Sequence, residues 1–123
     1  MYNTMGKEIY KLCLGKADSF TEIASAFPKK LEATVIEAVG YEVGPMQTIL
    51  YVFERHFFRT ESMASLTVLF TNDGQQIFAD IIASGAGQGV FNISWGANGS
   101  FARMAVDILQ QQGFQVLAQK DSP

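Results

Sequence analysis

The sequence predicts an α+β fold, a two-layer sandwich with two helices on one face of a mostly antiparallel sheet. Three observations predict it. Two segments carry one-sided apolar stripes at helical spacing. Several β-rich runs are joined by connections too short for parallel crossovers. The chain has 123 residues, 48% of them apolar and 17% charged, which suits one packed domain. The expected element order is β-α-β-β-β-β-β-α.

Lys7 to Leu14 alternates, with Ile9, Lys11 and Cys13 on one side and Tyr10, Leu12 and Leu14 on the other, as in a strand. Asp18–Ser19 then opens a helix, and Ser19 and Glu22 have capping-box spacing. Phe20, Ile23, Ala24 and Phe27 follow as its apolar face, and Pro28 interrupts or ends it. Leu31 to Tyr41 fits either state. Leu31, Val35, Ala38 and Val39 have helical spacing, but Thr34, Val35, Ile36 and Val39 are β-branched, and a strand is preferred.

Gly44–Pro45 marks a turn into Met46 to Phe58, a long strand apolar on both faces and expected to be central. Asn72-Asp73-Gly74 between Ala64–Thr71 and Gln75–Ser84 is a hairpin signal, because the turn needs positive φ. Val90 to Trp95 is read as a further short strand. Ser100 to Gln112 is an amphipathic helix with the stripe Phe101, Met104, Ala105, Ile108 and Leu109, capped by Ser100 and ended by Gly113. Phe114 to Leu117 packs back or adds a short edge.

The charge pattern excludes several functions. The net charge is −3, and no basic stripe of the kind that follows a phosphate backbone is present. Nucleic acid and anionic membranes are therefore not expected partners. No segment has the run of about 20 apolar residues that spans a bilayer, and the N-terminus lacks a signal-peptide core, so a cytoplasmic location is expected. One His, one Cys and scattered carboxylates give no zinc spacing, and neither metal nor cofactor is expected. Cys13, the lone cysteine, is read as a small core hydrophobe.

Three segments look familiar together: VFERHFFRTESMASLTV at Val52 to Val68, IIASGAGQGVF at Ile81 to Phe91, and WGANGSF at Trp95 to Phe101. They resemble a family of small bacterial proteins known only as a domain of unknown function, with an aromatic VFER strand, a Gly-rich turn and a terminal helix. The resemblance covers roughly the last two-thirds of the chain. His56 stands where the family has tyrosine, and Met63–Ala64 where it has Asn-Arg. The resemblance implies the domain and no activity.

Candidate sites are weighed on their chemistry. GAGQG at Gly85 to Gly89 would cradle an anion, but it lacks the GxGxxG spacing and the following helix of a dinucleotide site, so a turn is preferred. Glu54 and His56 share a strand face and would suit acid–base work, while a cross-strand charge ladder is the plainer reading. Trp95 would stack on a ligand, and Asn98 and Ser100 would cap a helix start. Two functions lead. One is a non-catalytic domain for a small apolar or anionic ligand, lined by Arg55, Gln88, Asn92, Trp95 and Ser100. The other is a homodimeric interaction module using the apolar Met46–Phe58 strand. An enzyme using Glu54 and His56 ranks below both.

Overall fold

In the computed structural model, β1 (Lys7–Leu14) follows its sequence alternation: Tyr10 and Leu12 are buried while Lys11 is exposed. The described residues are 7–15, 19–57, 61–85 and 91–121. Helix α1 (Phe20–Lys30) buries Phe20, Ala24 and Phe27, the expected face. The expected capping box does not form. Ser19 is the N-cap, but its φ of 74° is left-handed, and its side chain makes no capping hydrogen bond. A capping hydroxyl reaches the first-turn N–H groups from the extended region of the backbone map, which Ser19 does not occupy. Pro28 lies inside the helix, in its last turn.

The ambiguous segment is a strand, β2 (Thr34–Val43). It pairs antiparallel with β3 (Met46–Phe57) through a turn whose Gly44 has φ of 60°. Here glycine is required, because the first central residue of a tight hairpin turn needs positive φ. β4 (Ser62–Asn72) and β5 (Ile77–Gly85) form the next hairpin. Its turn is held by side chains. Asp73 accepts from the N–H groups of Gln75 and Gln76, each at 2.8 Å, and Asn72 accepts from Gly74 N–H at 2.9 Å.

The final two elements differ from expectation. Helix α2 spans Phe91–Gln111, so the strand expected over 90–95 is helical from Phe91. Consequently Ser100 lies inside the helix rather than capping it. The sixth strand, β6 (Gln115–Asp121), comes after the helix. Sheet order explains this. Among the described residues six strands run β2-β3-β4-β5-β1-β6, so β5 already has neighbours on both sides. β5 and β6 are each antiparallel to β1 and hence parallel to one another. A parallel return needs a long crossover, which α2 supplies. Gly96 and Gly99 are tolerated inside it at about 1 kcal/mol each.

Gly113 ends α2 as expected, at φ of 102°. Its N–H donates to Gln110 C=O, and Phe114 N–H reaches back to Leu109 C=O, both at 3.0 Å. This is a Schellman ending, with Phe114 and Leu109 both buried beneath it.

Both helices pack on one face of the sheet, giving the expected two-layer α+β arrangement. Phe27 meets Phe53 and Phe70 edge-on at 5.8 and 5.5 Å, and Phe57 meets Phe101 at 5.8 Å. The strand residues of the core come from β1, β3, β4 and β5. β3 is an interior strand but lies one place from the edge, not at the centre.

Candidate functional site

Arg55 points to the helix-covered face of β3. Its guanidinium donates to Glu32 C=O at 3.0 Å and to Met104 Sδ at 3.6 Å. It also lies 5.1 Å from the Phe57 ring centroid and 3.9 Å from the Glu32 carboxylate. The planar fork thus ties the α1–β2 connection and α2 to β3. Of the other expected ligand residues, Gln88 lies outside the described residues, as does the 86–89 part of GAGQG. Asn92, Trp95 and Ser100 fall in the first half of α2, and their side chains lie outside the described residues.

Glu54 and His56 share the opposite, open face of β3, and both are exposed. Acid–base work would need them together in a cleft, so the exposed placement gives that reading no support. Among the described residues, no group of three His, Cys, Asp or Glu side chains could hold a metal ion. No helix there is long and apolar enough to cross a membrane.

A groove of about 390 Å³ opens between α1 and the β2–β3 hairpin. Phe20 and Thr21 form one wall, and residues 40–42 of β2 with 47–49 of β3 form the rest. A polar chain runs from two of its lining residues, Glu42 and Gln47, to Asn72. Asn72 Nδ2 donates to Gln47 Oε1, and Gln47 Nε2 donates to Glu42 Oε2, each at 2.9 Å. That chain follows the register Glu42–Gln47–Asn72 and locks the two hairpin tips together.

The open face mixes apolar and charged side chains. Leu50, Val52 and Leu69 are half-buried there, and Lys11 and Asp80 neutralise one another at 2.8 Å. Cys13 is also on this face and half-exposed, not a core residue as expected. Its place alternates with buried Leu12, so strand parity turns it outward. Burial and, less strongly, the Asp73 charge push its thiol pKa up.

The largest departure from a self-contained fold is β2. Nine of its ten residues are exposed, on both faces of the sheet. Val35, Ile36, Tyr41 and Val43 are exposed, as is Met46 across the turn. These are five of the nine large apolar residues that the described part of the protein leaves exposed. Sequence reading placed the sticky surface on Met46–Phe58 and missed β2. The signal was present as Val, Ile and Tyr on both parities of one strand, but only sheet order reveals that the strand is an edge.

No curated protein matches this sequence. A family model, described as a family of unknown function (DUF6054), matches residues 18–113, from the start of α1 through the end of α2. With that match spanning most of the fold around the groove and the β2 edge, the chain belongs to the DUF6054 family.

Proposed function

We propose that this protein is a homodimeric interaction module, and that its contact surface is the β2 side of the sheet. The observation that carries the reading is the exposure of β2 on both faces, with five large apolar side chains gathered on one hairpin. Isolated exposed apolar residues are ordinary, whereas Tyr41, Val43 and Met46 adjoin one another on the open face beside the turn, and such a group marks a contact surface. A second copy suits it because the hairpin carries only two charges between Thr34 and Met46, and a partner of opposite charge has little to recognise. Sedimentation velocity over a wide concentration range tests the proposal. The wild-type chain is expected as a dimer, and Tyr41→Lys, at an exposed position, as a monomer of unchanged fold. A wild-type monomer at the highest concentration would overturn it.

The groove supports a second reading, binding of a small ligand. Its Phe20 and Ile49 walls favour an apolar body, and the Glu42 carboxylate disfavours an anion. Native mass spectrometry separates the two readings. A dimer without added mass fits the module, and an added mass lost on denaturation fits the ligand site.

A further inference from the structure

We infer that two copies pair edge to edge through β2, antiparallel, with Gly40 of each copy on the two-fold axis. This rests on the self-association reading above and specifies its geometry.

An edge strand presents a row of backbone N–H and C=O groups that another strand can pair with. Proteins usually blunt such edges with lysine, proline or bulges. The β6 edge has a shifted register at Lys11/Leu12 and a Lys in its sequence. β2 has neither Lys nor Pro within Thr34–Val43. Its one irregularity lies between Val35 and Glu37, leaving Glu37 to Val43 in regular register up to the turn.

That seven-residue segment restricts the pairing. Directly opposed residues either both aim their backbone groups across the seam or both aim them away, so the two members share parity and a two-fold antiparallel pair sets one residue opposite itself. With Gly40 there, the whole regular segment is paired; with any other residue there, at least one end is left over. The Gly40 register sets Val39 opposite Tyr41 of the second copy, twice, on the open face. Aromatic against β-branched is a favourable cross-strand pair. Glu37 meets Val43 and Ala38 meets Glu42, so no glutamate opposes a glutamate. Gly40 itself adds no side chain at the axis.

Cysteine cross-linking tests the register, with Cys13→Ser removing the native thiol. Gly40 can carry a side chain, since an added Cβ meets Thr48 O at 3.4 Å and no positive φ forbids it. Across the axis its two Cα atoms would be about 4.5–5.5 Å apart, within disulfide reach. Under mild oxidation, Gly40→Cys is expected to run at twice the 13.5 kDa monomer mass, and Val43→Cys to remain at that mass. The double variant Val39→Cys/Tyr41→Cys reports the same register if Gly40→Cys does not fold. A sedimenting wild-type dimer in which neither variant cross-links would overturn the edge pairing and leave the module standing. Preferential cross-linking at Val43 would overturn the register. A monomer throughout would overturn both.

Discussion

Pro28 removes an N–H from α1, and the carbonyl it deprives is that of Ala24, four residues earlier. Ala24 is fully buried, so its carbonyl needs another donor. Tyr51 of β3 supplies it, donating its hydroxyl to Ala24 C=O at 3.0 Å. Burial pushes the Tyr51 phenol pKa up. Tyr51→Phe keeps the ring, which stacks on Phe53 at 5.6 Å and meets Phe70 edge-on at 6.2 Å, but leaves the carbonyl unsatisfied. The expected cost is about 1–3 kcal/mol. With 123 residues at about 2.1 cal/mol/K each, 1 kcal/mol lowers Tm by about 4 °C. Pro28→Ala restores the helical donor, so Tyr51→Phe in that background should cost less than about 1 kcal/mol. Urea unfolding of the wild type, both single variants and the double variant gives this coupling directly. An equal cost of Tyr51→Phe in both backgrounds would refute the shared-carbonyl argument.

Gly113→Ala forces a side chain to φ of 102° and places its Cβ 3.2 Å from Leu14 Cδ1. A loss of about 1–2 kcal/mol is expected in chemical denaturation. The N–H groups of Gln76 and Gln75 hold the Asp73 carboxyl below its ordinary pKa. Because the folded pKa is depressed, the stabilisation is complete above the unfolded value and disappears as pH falls through the folded one. Urea midpoints of wild type and Asp73→Ala should therefore differ at neutral pH and draw together on acidification. For Cys13, burial and the Asp73 charge both disfavour the thiolate. Labelling by a thiol reagent should show a rate midpoint above that of a free cysteine, and Asp73→Asn should lower it.

What could be read in the sequence was local. Alternation placed β1, the proline-bearing stripe placed α1, and Gly113 marked the end of α2. β-branching correctly favoured a strand before Gly44–Pro45. Non-local pairing decided the rest. Phe91, Ile93 and Trp95 alternate as a strand would, yet β5 had no free side to offer, and the chain crossed over as a helix. The Ser19–Glu22 spacing was correct for a capping box, but the backbone at Ser19 turned the other way. Arg55 was expected to meet a ligand. Its position opposite Glu32 and Met104 depends on how α1 and α2 cross the sheet, which no short motif encodes.

The same layer geometry explains why β2 is bare. A packed helix covers about 10 Å of sheet, and strands are about 4.8 Å apart. Two helices therefore cover about four strands. The core bears this out, drawing its sheet residues from β1, β3, β4 and β5 alone. A sixth and a fifth strand must project beyond the helices, one at each side, and these are β2 and β6. Projection alone does not make an interface, because an edge carrying lysine and a broken register resists pairing. β6 has both features, while β2 keeps seven residues in regular register with apolar side chains on its exposed flanks. The two edges arise from the same shortage of cover, but only β2 retains the order needed to extend the sheet into a second copy.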